Sequence, residues 1–253
     1  MGLIQPYITL PKSTYFGGKG GAGVVHNIIN QLPQHDVFIS GFLGQCAVMR
    51  YKSPAYTNIG IDIDKEVIND WHDAVTSPEW GSNSLNIIQG NFLRWLHGGG
   101  MLTDKNALLY LDPPYLHETR SGHNRYKYEM QPGDHEQLLT RICDVSCMVA
   151  ISCYDHPIYQ LYLKDWRKVQ FNAQTRGGVR VETLYMNYDE PMPWNLHDTR
   201  FIGRDFRVRE KSKRRVETIM RKIERLTPEE RAILDRKMIE ISDAGHGARI
   251  LNI

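Results

Sequence analysis

From residue 24 to residue 188 the chain alternates between two apolar patterns. Short runs rich in β-branched and large apolar residues occupy Val37–Ser40, Thr57–Ile63, Ser84–Gln89, Ala107–Leu111 and Cys147–Cys153, and they read as largely buried strands. Between them, apolar residues recur at helical spacing through Val24, Val25, Ile28, Ile29 and Leu32, from about Ala47, and over Glu66–Ala74, Phe92–His97, Asp134–Asp144 and Pro157–Leu163. Alternation of this kind predicts an α/β fold with a doubly wound, mostly parallel sheet. Trp166–Ala173 and Arg180–Tyr188 flank the turn Thr175-Arg176-Gly177-Gly178 and predict an antiparallel hairpin closing that sheet. Past Pro191-Met192-Pro193-Trp194 the pattern becomes a charged helix, roughly Arg207–Arg225. A second helix follows, with Thr227 as N-cap and Pro228 in its first turn, and residues 243–253 are expected to fray. The organisation expected is a main domain over 1–198 and a basic helical extension over 199–253.

Composition narrows this only slightly. With 41% hydrophobic and 24% charged residues over 253 positions, the chain has the make-up of a globular protein and not of a disordered one. No stretch approaches the roughly 20 apolar residues of a membrane span, and Met1–Pro6 lacks a basic region followed by an apolar core, so a cytoplasmic protein without a membrane partner is expected. Cys46, Cys143, Cys147 and Cys153 lie in segments that read as buried, which suggests reduced core thiols. No metal site is expected, because nothing beside Cys143 and Cys147 completes a ligand set. Charge is unevenly spread: Arg200 to Glu240 holds 14 Lys and Arg against 8 Asp and Glu, a net of +6 in a chain of net +2. Such segregation suits a polyanionic partner gripped by the extension.

The candidate chemistry lies at the end of the run Ala107–Leu111, where Asp112-Pro113-Pro114-Tyr115 follows. The exocyclic nitrogen of adenine is a poor nucleophile because its lone pair is delocalised into the ring. It becomes reactive when acceptors hold its hydrogens. Asp112 supplies one acceptor, the Pro113 carbonyl, fixed by two prolines, a second, and Tyr115 an aromatic face for an extruded base. Upstream, Ser40-Gly41-Phe42-Leu43-Gly44-Gln45-Cys46 forms a glycine turn between strand and helix. About 20 residues further, Asp62 ends the next strand, placed for the two ribose hydroxyls of a nucleoside, with Asp64 as N-cap of the following helix. Near the N-terminus, Phe16-Gly17-Gly18-Lys19 is followed by Gly20, which excludes a nucleotide P-loop.

Together these motifs resemble the Dam-type DNA adenine methyltransferases, with matches at Phe16-Gly17-Gly18-Lys19, Phe42 and Gly44, Asp62-Ile63 with Ile68-Asn69, Gly90-Asn91-Phe92, the tetrapeptide Asp112–Tyr115 and the hairpin Thr175…Tyr188. A tail segment, Phe201-x-Gly203-x-Asp205-Phe206 with Arg209, Glu210 and Arg214, is similar to an extension of phage and prophage members. The resemblance implies a class I methyltransferase fold that uses S-adenosyl-L-methionine as cofactor and double-stranded DNA as partner. It implies cofactor contacts from Phe16, Gly17, Lys19, Phe42, Gly44, Asp62, Ile63, Asn91, Phe92 and Asp112, and catalysis by Asp112, Pro113, Pro114 and Tyr115. Nucleic-acid contacts fall to Lys19, Arg120, Arg125, Tyr126, Lys127 and Arg176.

The chain also departs from the family pattern. Ser40, Gly41 and Cys46 replace an acid, a proline and a glycine, Asn91 replaces an aspartate, and only 19 residues separate Phe92 from Asp112, so the usual inserted target-recognition domain is missing. Base readout would then fall to Leu116–Gly133, where cations interleave with aromatics, a stretch that reads equally as a solvated loop. Tyr154 is open between a second stacking face and core packing. Two other functions remain open: a cofactor-deficient DNA-binding accessory protein, and a methyltransferase acting on RNA.

Overall fold

The computed structural model of the protein describes residues 5–11, 23–98, 100–119, 127–175, 178–203 and 206–250. Its elements in order are β1 (Ile8–Thr9), α1 (Val24–Ile29), β2 (Val37–Ser40), α2 (Ala47–Tyr51), β3 (Thr57–Asp62), α3 (Lys65–His72), β4 (Val75–Thr76), β5 (Ser84–Gln89), α4 (Phe92–Leu96), β6 (Ala107–Leu111), α5 (Pro132–Cys143), β7 (Met148–Cys153), α6 (Pro157–Tyr162), β8 (Arg167–Thr175), β9 (Gly178–Met186), α7 (Phe206–Ile223) and α8 (Pro228–Ile250). The main sheet has seven strands in the order β5-β3-β2-β6-β7-β9-β8. Every pairing is parallel except those of β9, which runs against β7 and β8. Strand order reverses at β2, between β3 and β6, and one reversed strand near the edge completes the class I methyltransferase topology. A two-stranded ribbon of β1 and β4, absent from the sequence expectation, stands apart from the sheet.

Both faces of the sheet are covered. Along β6 all five side chains are buried: Leu108 and Tyr110 join the core formed with α1, α2 and α3, while Ala107, Leu109 and Leu111 join the core formed with α4, α5 and α6. A parallel strand covered on both sides loses the polar alternation of a half-exposed one, which is why β6 reads as a continuous apolar run.

At the amino-terminal edge of the sheet, a polar cluster is sealed into the interior. Lys52 is 0% exposed, with its ammonium 4.3 Å from the centre of the Phe38 ring and donating to the Ser53 carbonyl at 2.9 Å. The His35 and His197 rings stack at 3.7 Å, donating to the carbonyls of Pro33 (2.7 Å) and Ser53 (2.8 Å). Asp198 accepts from the Ser53 N–H at 2.7 Å and from the Arg200 guanidinium at 2.8 Å. Burial lowers Lys52 to about 7 and His197 to about 3, whereas the charge and hydrogen bonds of Arg200 outweigh burial and hold Asp198 below the usual carboxylate range.

Because Arg200 is engaged there and Phe201 is fully buried, the compact unit ends at Ile202, and a second unit runs from Gly203. The division falls four residues beyond the expected 198/199 boundary. In the second unit, Thr227 and Glu230 form a reciprocal cap at the start of α8, the Glu230 N–H donating to Thr227 Oγ1 (3.3 Å) and the Thr227 N–H to Glu230 Oε2 (2.9 Å). α8 continues to Ile250, so the fraying expected from 243 does not begin there. Cys143, expected in the core, is exposed at the last residue of α5. No described helix is long and apolar enough to cross a membrane, and the described residues hold no cluster of three or more metal-ligating side chains.

Candidate active site

The carboxyl ends of β2, β3, β5 and β6 surround a cleft lined by Gly41–Ala47, Asp62 and Ile63, Gly90–Leu93, Tyr110, Asp112 and Pro114, with Tyr128, Glu129, Met130 and Asp134 also in its wall. Its position follows from topology, since the loop leaving β2 must turn where neighbouring connections go to opposite faces. That loop is stitched on both sides: the Gly41 N–H donates to the Tyr110 carbonyl (3.2 Å) and the Leu43 N–H to the Ile61 carbonyl (3.0 Å).

Gly44 is the hub of the turn. Its φ of 41° lies in the left-handed region that favours glycine. Its N–H donates to Asp62 Oδ2 at 2.8 Å, and its carbonyl accepts from the Trp71 indole at 2.7 Å. The second oxygen of Asp62 takes the Asp64 N–H at 2.8 Å, so both oxygens are fixed by backbone and each retains acceptor capacity. Burial raises the Asp62 carboxyl above its ordinary range, against the lowering effect of these bonds. Asp64 caps α3 as expected, accepting from the Glu66 N–H at 3.0 Å. Gly41, where the resemblance leads one to expect proline, has an observable cause: a Cβ there would lie 2.6 Å from Leu111 Cδ2 and 2.7 Å from the Phe92 ring. Phe92 in turn meets Phe42 edge-on at 5.3 Å, and with Ile63 these rings give the cleft its apolar walls.

Asn91 lines the cleft and also caps α4, its Oδ1 accepting the Arg94 N–H at 3.2 Å. The cap occupies one side of the only acceptor atom of this side chain. Cys46, where the resemblance leads one to expect glycine, caps α2 through its sulfur, 3.4 Å from the Met49 nitrogen, and burial pushes its thiol up to about 11.

The tetrapeptide after β6 divides its roles. Asp112 and Pro114 face the cleft, and Pro113 is buried. Tyr115, expected as a stacking face, is 6% exposed; its ring packs edge-on against Tyr154 at 4.6 Å and its hydroxyl turns inward. That hydroxyl lies 2.7 Å from Glu182 Oε2 and 3.1 Å from Asp112 Oδ1. Burial and the two neighbouring carboxylates raise Tyr115 well above the ordinary phenol range, which keeps it protonated. Tyr154, half-buried, has more exposed surface than its partner.

Glu182 belongs to the hairpin match of the sequence, which gave it no role of its own. It is 4% exposed on β9, while its neighbours Val179 and Val181 are 61% and 50% exposed, the reverse of ordinary apolar-in patterning. Only Thr183–Met186 of β9 pair with β7, so the preceding residues extend past the carboxyl end of β7 on the β8–β9 ribbon. Of the expected nucleic-acid contacts, Lys127 pairs with Asp64 (2.9 Å) and Glu66 (3.5 Å), tying the segment that carries Tyr128–Met130 of the cleft wall to the start of α3. Phe16, Gly17, Lys19, Arg120, Arg125, Tyr126 and Arg176 lie outside the described residues.

No protein-family model matches the chain, and no curated protein matches its sequence. Among solved structures, a proposed methyltransferase from Streptococcus mutans in complex with SAH aligns with a TM-score of 0.43 at 11% identity, over 64% of this chain and 94% of that one. An rRNA methylase from Streptococcus thermophilus aligns with a TM-score of 0.42 at 9% identity, over 66% of this chain and 95% of that one. The fold assignment rests on the strand order and directions of the sheet itself.

Proposed function

We propose that the chain is an S-adenosyl-L-methionine-dependent methyltransferase of the Dam type, acting on the exocyclic amino group of adenine in double-stranded DNA. The observation that carries this reading is the convergence of Asp62 and Asp112 on one cleft at the point where strand order reverses. Asp62 suits a ribose, because its two oxygens are held by backbone N–H groups and keep lone pairs for two hydroxyls. Phe42, Ile63 and Phe92 suit the flat apolar faces of a nucleobase. The cofactor supplies an electrophilic methyl group on a sulfonium. Asp112 would accept a hydrogen from the target amine and draw its lone pair out of ring conjugation, and alignment of the two reactants supplies much of the remaining rate. For a base extruded from DNA, Tyr154, packed edge-on against Tyr115, would be the more open ring of the pair. The basic extension supports phosphate contact that is independent of sequence.

The test is to incubate the protein with methyl-labelled cofactor and unmethylated DNA, RNA or protein, and to map the modified positions. Label at adenine amino groups of DNA supports the proposal, label confined to RNA replaces the substrate, and absence of label in every acceptor rejects the activity. A second reading, a DNA-binding protein that has lost its cofactor, is favoured by one observation: the Asn91 cap leaves its NH2 as the unengaged polar group, a donor where the adenine amino group also donates. Calorimetric titration with cofactor separates the two, since an accessory protein has no need to bind it.

A further inference from the structure

We propose that Lys127 is a positioning residue for the cofactor: it ties the Tyr128–Met130 wall of the cleft to the turn that carries Asp62, and so holds Tyr128 against the bound nucleoside. The inference rests on the methyltransferase reading of the cleft. It gives Lys127 a different part from the DNA contact that the sequence suggests.

The observation is a continuous run of polar contacts from one wall of the cleft to the other. Lys127 Nζ donates to Asp64 Oδ1 at 2.9 Å and stands 3.5 Å from Glu66 Oε1. The Asp64 N–H donates to Asp62 Oδ1 (2.8 Å), and Asp62 Oδ2 takes the Gly44 N–H (2.8 Å). A single residue, Asp64, therefore links Lys127 to the carboxylate placed for the ribose. The far end of the segment is anchored by packing: Met130 is 7% exposed, in the core that holds Phe92, Leu116 and Leu138. Between these two anchors lie Tyr128 and Glu129, both in the cleft wall.

The partners of the tether are unequal. The Lys127 side chain is 52% exposed and that of Asp64 only 6%. A pair of exposed side chains gains little because both must be ordered, but Asp64 is already immobilised as the cap of α3, so only the lysine loses freedom. The hydrogen bond to Asp64 holds the ammonium above its ordinary range, and Lys127 stays charged. A phosphate approaching it would also meet the two acids, Asp64 and Glu66, which disfavours a DNA contact here. The same ammonium lies 5.6 Å from the centre of the Tyr128 ring, within reach of a cation–π contact. Lys127 thus restrains Tyr128 through the chain and through its ring. Tyr128 is 44% exposed, and an open but restrained aromatic ring in a cleft shared with Phe42, Ile63 and Phe92 suits the flat face of an adenosine.

The test follows release of S-adenosylhomocysteine by stopped flow, without DNA. Lys127→Met should release it about fivefold faster than wild type, whereas Lys127→Arg, which keeps the charge and donors, should stay within about twofold. Tyr128→Ala should release it about tenfold faster. Because Lys127 acts through Tyr128, the double variant should be no more than about twofold faster than Tyr128→Ala alone. Wild type and Lys127→Met should converge as salt approaches about 1 M, where the pair is screened. Urea midpoints of Lys127→Met should match wild type, a readout that a role in folding would move. Wild-type release from Lys127→Met, equal losses in Lys127→Met and Lys127→Arg, or effects that multiply in the double variant would each overturn the proposal. Weaker DNA binding by Lys127→Met with unchanged release would return the residue to the nucleic acid. A wild-type protein that binds no S-adenosylhomocysteine in calorimetry would instead remove the functional reading, and this proposal with it.

Discussion

The two edges of the central sheet both bury charge, and they do so to opposite ends. At the amino-terminal edge, Asp198 is closed off by backbone and guanidinium donors, and Lys52 and the two histidines give their hydrogens to carbonyls. At the carboxyl edge, Asp62 and Asp112 keep acceptor capacity toward a cleft, and Glu182 and Asp112 compete for one phenol hydrogen. The first cluster costs desolvation and returns a fixed junction between the loops before β2 and β3 and residues 196–200. The second turns the Asp62 and Asp112 carboxylates toward a cleft, where acceptors serve binding more than folding. Charge burial alone therefore does not mark a site, whereas buried charge with acceptors turned toward open space does.

The contrast breaks most sharply at Asp112. Asp112→Ala should lower methyl transfer by at least about a thousandfold, roughly 4 kcal/mol, while cofactor affinity measured by calorimetry stays within about tenfold. Turnover close to wild type would end its assignment as the acceptor. At the other edge, Asp198→Ala should cost about 3 kcal/mol of folding free energy in urea denaturation, by leaving the Ser53 N–H without its acceptor and Arg200 without its counter-charge. Activity per folded molecule should be unchanged, and a selective loss of turnover would mean that the edges are coupled.

Asp62→Ala should weaken cofactor binding by about 1.5–3 kcal/mol, the scale of hydrogen bonds to a charged group, and unchanged affinity would move the ribose site elsewhere. A chain ended at Ile202 keeps both edges and should still bind cofactor. It should hold every DNA sequence more weakly, with a shallower dependence of affinity on salt in a fluorescence titration. Identical affinity and slope would leave the extension without a role in DNA binding.

The finest test is of pH. The value of Lys52 in the folded protein, about 7, lies below its ordinary 10.5. Between those values the unfolded chain holds more protons, so the Lys52 contribution makes stability rise with pH across that window and flattens below about 7. Lys52→Met should lose this part of the slope in urea midpoints taken at pH 7, 8 and 9, and an unchanged slope would assign it to other groups.

Much of this was legible in the chain, for identifiable reasons. β2, β5 and β6 match their expected bounds because a strand in a covered sheet must carry local apolar content, and Asp62 and Gly44 could be placed because a strand-end acid and a left-handed turn each demand particular residue types. What was missed depended on register between distant segments. Glu182 stands 70 positions from Asp112, and only the pairing of Cys153 with Thr183 fixes how far β9 reaches beyond β7. The exposed Val179 and Val181 ahead of buried Glu182 break the expected apolar-in pattern, and that inversion was the available clue. The β1–β4 ribbon, two residues per strand, is too short for any periodicity to reveal. The inward turn of Tyr115 was hidden because its motif specifies an aromatic ring and not the partner of its hydroxyl.

The ribbon of β8 and β9 behaves mechanically as a cantilever. Its root is clamped in the core by the four pairs from Thr183 to Met186, and its free end runs outward from Glu182. A loaded cantilever deflects most at its tip and least beside the clamp, and Glu182 is the first residue past the clamp. A load on the outer part of the ribbon would therefore flex the far residues while scarcely moving this carboxylate, so the ribbon can bend without detuning the acid on which Tyr115 depends.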